Sequence, residues 1–191
     1  MTRLRCFWRA LDLLIEASGR SLREVSEGEV GELVEEIVGH RGGGRIFVVG
    51  AGRSGLVGRA FAMRLMHLGL NAYVVGETIT PALKSGDTLI AISGSGRTRT
   101  VVEIARLARK AGGRVIAITS SKRSPLARIS DHAIRIPSKL EGEGLECAPP
   151  LGTLFELSCW IFLDAVVAEL MERLAVREED MRSRHTNLDW C

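Results

Sequence analysis

Apolar positions along this chain follow two periods. Five short runs, at residues 45–49, 71–75, 88–93, 114–119 and 131–136, are apolar at most positions and rich in Val and Ile. Runs of that length and composition read as strands buried on both faces. Residues 54–68 and 98–111 instead repeat their apolar side chains every three to four positions, as amphipathic helices do. A further helical turn is expected near 125–129. Strands alternating with helices predict an α/β fold, a parallel sheet covered on both faces. Thr100-Val101-Val102-Glu103 fits a capping box, which places a helix start close to the loop before it.

The flanking segments complete a single domain over 1–191. Residues 6–39 read as N-terminal helices. Residues 138–150 shift to Glu, Gly and Pro and read as a loop or lid. Residues 151–174 form one long helix, apolar on nearly all sides, which has to be buried. With both sheet faces already occupied, a second chain is its expected cover. The highly charged tail, 177–191, reads as a frayed end.

The candidate chemistry sits in two loops. Gly50-Ala51-Gly52-Arg53-Ser54-Gly55 and Ser93-Gly94-Ser95-Gly96-Arg97-Thr98 each follow a strand and open a helix. A glycine-rich turn at a helix start offers free N–H groups and the positive end of the helix dipole to an anion. Ser54 adds one hydroxyl, and Ser93, Ser95 and Thr98 add three more, suiting a phosphomonoester. One hydroxyl per loop would serve for helix capping; the second loop has more than that role needs. The first loop also satisfies G-x-G-x-x-G. A dinucleotide site wants an acidic residue ending the next strand, and Glu77 lies two residues beyond it. The G-x-x-x-x-G-K-[ST] pattern of a nucleoside triphosphate site does not occur.

Composition narrows the setting. Lys and Arg total 26 against 23 Asp and Glu, interspersed, with a net charge of +3, so no nucleic-acid footprint emerges. A local excess of arginine near the loops (Arg53, Arg59, Arg97, Arg99) fits a small anion. Arg3, Arg5 and Arg9 break the early apolar stretch, so no signal peptide is read. No uncharged run approaches the roughly 20 residues of a membrane span. A cytoplasmic protein without membrane or nucleic-acid partners is expected. Cys6, Cys147, Cys159 and Cys191 lack CxxC spacing, so neither a zinc site nor a redox pair is expected, and they read as small buried groups or plain thiols.

The two loop motifs together resemble those of the sugar isomerase (SIS) domain family of phosphosugar-binding proteins. The segments Ala148-Pro149-Pro150-Leu151-Gly152-Thr153-Leu154-Phe155-Glu156 and Glu178-Glu179-Asp180-Met181-Arg182-Ser183-Arg184-His185-Thr186-Asn187-Leu188 resemble its 6-phospho-3-hexuloisomerase members. Many SIS domains have Glu where Arg97 stands, so no role is carried to that position. The resemblance implies a three-layer αβα sandwich with a five-stranded, parallel, flavodoxin-like sheet, assembled as a homotetramer with sites near subunit interfaces. It implies a sugar-phosphate substrate, namely D-arabino-hex-3-ulose 6-phosphate interconverting with D-fructose 6-phosphate through a 2,3-enediol, without cofactor or metal.

That reaction needs a base, and a carboxylate suits it. The resemblance points to Glu156, which as a bare residue is equally a helix N-terminal Glu facing the dipole. Glu77 and Glu103 are alternatives, Glu103 being accounted for by the capping box. His185 is implied as a proton shuttle or ring-opening acid, plausibly serving a neighbouring subunit, although by position alone it is a solvated tail residue. His40 ends a helix, His67 lies in the helix behind the first loop, and His132 starts a strand. Gly52, Arg53, Ser54, Ser93, Ser95 and Thr98 complete the expected site. A different phosphosugar isomerase, or a non-catalytic sugar-phosphate sensor, are the competing readings.

Overall fold

The pleat of each central strand sends alternate side chains to opposite faces, and here both faces are apolar. Ile46 and Val48, Ile90 and Ile92, and Ile116 and Ile118 enter one core. Phe47 and Val49, Leu89 and Ala91, and Val115 and Ala117 enter the other. A computed structural model describes residues 4–140 and 145–188. Its five strands are β1 (Arg45–Gly50), β2 (Asn71–Val74), β3 (Thr88–Ile92), β4 (Arg114–Thr119) and β5 (His132–Arg135). They run parallel in the order β2-β1-β3-β4-β5. The fold is thus the expected three-layer α/β sandwich.

The helices are α1 (Arg5–Arg23), α2 (Glu27–Gly39), α3 (Gly52–His67), α4 (Arg99–Lys110), α5 (Pro125–Ile129), α6 (Thr153–Leu174) and α7 (Glu178–Ser183). Side chains of α2, α3, α6 and α7 close the first core, and those of α4 and α5 the second. Because β1 leads into α3 on one face and β3 into α4 on the other, the chain reverses its winding between these two strands. Open α/β sheets bind ligands at such a switch point. The amino ends of the strands are fastened by polar pairs. Arg45 donates to both carboxylate oxygens of Asp87 at 3.0 and 2.6 Å. His40 Nε2 lies 2.8 Å from Thr88 Oγ1, and Arg114 pairs with Glu36 at 2.6 Å. Among the described residues no helix is long and apolar enough to cross a membrane.

Four expectations need correction. The start of α4 is Arg99, with Thr98 at the N-cap; Thr100 is therefore already helical, and Glu103 pairs with Arg106 instead of closing a capping box. The helix α6 does not need another chain to cover its apolar face. Leu154, Phe155, Cys159, Phe162, Leu163, Val166, Val167, Leu170 and Leu174 are buried against this chain's own sheet and helices. Its outer face carries Trp160 and Ile161 beside Asp164 and Glu169. The tail is not simply frayed: α7 buries Met181 in the first core. Arg184 Nη1 donates to the His67 carbonyl at 2.9 Å, satisfying an oxygen at the end of α3.

The fourth correction concerns the cysteines. Cys6 and Cys147 form a disulfide, with Cα atoms 5.0 Å apart across a sequence separation of 141. Linear spacing carries no sign of it, because only the packing of α1 against the turn at Leu145–Cys147 brings the two together. Arg5 and Arg9 pair with Glu146 beside the bond. Cys159 is a buried thiol, its pKa pushed well up by burial and by the charge of Glu156, so it stays protonated and acts as a small apolar group. Cys191 lies outside the described residues.

A loop of that length makes the cross-link worth about 3–5 kcal/mol through the entropy of the unfolded chain. Adding reductant should lower the denaturant midpoint of the wild-type protein accordingly, and should leave the midpoint of Cys147→Ser unchanged. Equal midpoints for wild-type protein with and without reductant would refute the bond.

Candidate active site

The parallel register pairs Gly50 with Ile92, so both glycine-rich loops leave the sheet at one level from adjacent strands. At the first loop the backbone folds back tightly into α3. A Cβ on Gly50 would lie 2.8 Å from the Gly55 nitrogen, so only glycine permits this turn. Gly52, at φ +56°, begins the helix. Ser54 is buried in its first turn and Arg53 projects outward.

The second loop turns through a bond from the Gly96 N–H to the Ser93 carbonyl, 3.0 Å. Thr98 occupies the N-cap position of α4, yet its hydroxyl caps no backbone N–H. It lies 2.9 Å from the Ser93 hydroxyl. The simple capping role therefore does not explain this pair. Ser95 is exposed, and its Oγ accepts the Arg97 N–H at 3.2 Å. The loops that open α3 and α4 therefore flank the crevice expected at the switch point, and between them they carry the Ser54, Ser93, Ser95 and Thr98 hydroxyls.

The start of α6 ties this crevice to a carboxylate. Phe155 packs its ring over the second loop, where a Cβ on Gly94 would come within 2.9 Å of it. The next residue, Glu156, is 14% exposed at its side chain, and Arg53 Nε of the first loop donates to its Oε2 at 2.5 Å. One short segment of helix thus touches both loops. Of the alternative carboxylates, Glu77 pairs with Arg59 and Glu103 with Arg106 on the helix surface.

His185 is not brought to this crevice within the chain. Its ring packs against His67, centroids 5.3 Å apart, at the far end of α3. The 16 residues from Gly52 to His67 put that end about 22 Å along the helix axis from the loops. Burial, with the neighbouring charges of His185 and Arg64, holds the His67 imidazole below its ordinary pKa. His40 and His132 also have structural partners: Thr88 for the first, Glu32 and the Glu29 carbonyl for the second. Among the described residues no group of three or more His, Cys, Asp and Glu is placed to hold a metal ion.

Sequence reasoning passed over the turn after β4, Thr119-Ser120-Ser121. Two of its hydroxyls reach the second loop from below: Ser120 Oγ donates to the Gly94 carbonyl at 2.6 Å and Thr119 Oγ1 at 3.2 Å. A cluster of hydroxyls at the carboxyl end of a third strand was the available signal.

The chain is similar to several known proteins. The 3-hexulose-6-phosphate isomerase of Mycobacterium gastri is 40% identical over 181 residues, covering 94% of this chain and 89% of its own. The enzyme of the same name from Bacillus subtilis is 39% identical over 168 residues, covering 86% and 89%. A solved structure from Methanococcus jannaschii, described as inferring a function of 3-hexulose-6-phosphate isomerase, superposes with a TM-score of 0.81 at 38% identity, covering 94% of this chain and 98% of that one. The model of the SIS domain matches residues 41–146, the stretch that holds all five strands and both loops. The chain belongs to the SIS domain family.

Proposed function

We propose that this protein interconverts D-arabino-hex-3-ulose 6-phosphate and D-fructose 6-phosphate. Its relatives at about 40% identity over most of the chain are sugar-phosphate isomerases by name, and the chain is an isomerase of that broad class. The observation that carries the finer reading is the placing of Glu156. A largely buried carboxylate is held by a residue of one loop and is adjacent to the ring packed on the other.

In this reading the phosphate binds Ser93, Ser95, Thr98 and Ser54 with the helix N-termini, and Gly52 lets the first loop approach closely. Glu156 removes the C2 proton next to the C3 carbonyl while the C3 oxygen gains a proton, giving a 2,3-enediol. Returning the carbon proton at C3, as the C2 hydroxyl gives up its proton, leaves the carbonyl at C2, so the sugar gains and loses no atoms. Arg53 holds the carboxylate in the free protein. Being 65% exposed at its side chain, it has room to swing to a substrate oxygen and leave Glu156 to accept the proton. The remote position of His185 in its own chain supports a role in a neighbouring subunit, as a proton shuttle or ring-opening acid.

A homotetramer with sites near subunit interfaces fits two unlike apolar surfaces. On α1 the exposed side chains Trp8, Leu11 and Ile15, preceded by Leu4, recur every three to four residues with Phe7 beside them. Between α2 and α6 an open groove is lined by Val30, Val34, Ile161 and Val166. Two distinct self-complementary contacts are what a dihedral tetramer uses.

Four outcomes follow. A hydrogen bond to a charged phosphate is worth about 1.5–3 kcal/mol, so Ser95→Ala or Thr98→Val should weaken fructose 6-phosphate about 10- to 150-fold with the fold intact; unchanged affinity in both would refute the phosphate site. Glu156→Gln should lower turnover about 10²- to 10⁴-fold with binding retained. In deuterated water, proton exchange at C3 of fructose 6-phosphate should fall in parallel. Full activity of Glu156→Gln would end the base assignment. Co-refolding that variant with inactive His185→Ala protein should recover some activity if sites are shared between subunits, and none if each chain works alone. For assembly, light scattering should give a multiple of the single-chain mass for the wild type and a smaller species for Trp8→Glu. A wild-type monomer would refute the tetramer and the shared site together.

A further inference from the structure

The Gly94 carbonyl is the most heavily hydrogen-bonded oxygen of the second loop. It accepts from the Ser120 N–H at 2.9 Å, from Ser120 Oγ at 2.6 Å and from Thr119 Oγ1 at 3.2 Å. A carbonyl has two lone pairs, so three donors on one oxygen exceed what satisfying a buried backbone group requires. The Gly96 carbonyl is drawn the same way, by the Leu126 N–H of α5 at 3.0 Å. Both oxygens therefore point toward the turn between β4 and α5. Beneath Gly96, at φ +59°, that turn leaves no room for a Cβ, which would run into Ser124 Oγ. On the other side Phe155 covers Gly94.

Peptide geometry gives this direction a meaning. The Gly94 carbonyl and the Ser95 N–H belong to one planar trans peptide and point oppositely. Holding the oxygen toward the turn after β4 aims the N–H the opposite way, away from that turn and toward the side where the reading above places the phosphate. It also keeps a partial negative charge away from an incoming anion. Such outward-facing successive N–H groups make anion-binding concavities, and here the orientation is imposed by side chains of a third strand.

We propose that Ser120, assisted by Thr119, is a positioning residue for phosphate binding: its hydroxyl locks the Gly94–Ser95 peptide in the orientation that donates to the phosphate. Ser120 itself touches no substrate. The proposal rests on the phosphate reading above, and the controls separate the two. Ser120→Ala should raise the Michaelis constant for fructose 6-phosphate and the inhibition constant for inorganic phosphate together, each by about 3- to 10-fold, with kcat nearly unchanged. Ser120→Thr restores a hydroxyl and should return both constants to near the wild-type values. Ser120→Cys, which keeps the volume with a weak donor, should weaken phosphate as well and serves if the Ala variant does not fold. Ser121→Ala, in the same turn but with its Oγ bonded to the Arg123 N–H at 3.3 Å, should change neither constant. Unaltered phosphate affinity in Ser120→Ala, alongside weakening in Ser95→Ala, overturns the positioning role alone. Equal weakening by Ser121→Ala overturns it too, because the effect would then be general loosening of the turn. If Ser95→Ala and Thr98→Val are also inert toward inorganic phosphate, the phosphate reading falls and takes the positioning role with it.

Discussion

The parallel pairing of β1 with β3 is the constraint on which the rest of the molecule depends. It joins strands separated in sequence by α3 and β2, and its register sets Gly50 beside Ile92. Both loops then begin at one height, and their helices depart to opposite faces of the sheet. A slip of one residue would send every strand side chain to the wrong face, exchanging the Ile-rich set for the set containing Phe47 and the alanines. Tight filling of both cores therefore fixes the register, and the register fixes the crevice. The site's precision is inherited from side chains that never touch it.

A second dependence runs through the first turns of α6. This helix is the structural partner of α1, α2 and α3, yet its opening residues also define the crevice. Phe155 presses on Gly94 and Glu156 meets Arg53. Packing and the proposed chemistry thus share consecutive residues, and a helix is stiff enough to hold two such contacts at a constant separation.

Much of this was legible in the sequence because it is local. The continuous apolar runs around Ile46, Ile90 and Ile116 can only be strands covered on both sides, and a glycine-rich turn between strand and helix has few other uses. Glu156 was legible through its motif; no periodicity singles it out among 23 acidic residues. What escaped was long-range. The apolar surface of α6 looked too large for one chain because the sequence does not say that α1 and α2 fold back over it. Met181 drew a short helix out of a segment whose charges suggested solvent. The clasp on Gly94 comes from Thr119 and Ser120, hydroxyl residues brought under the second loop only by the pairing of β3 with β4.

The bond between Cys6 and Cys147 orders events in time. It cannot close until all five strands and the Leu145–Cys147 turn have been synthesised, whereas α6 follows it in the chain. Once closed, it ties the first helix to the segment that leads into Phe155 and Glu156, the residues that meet the two loops.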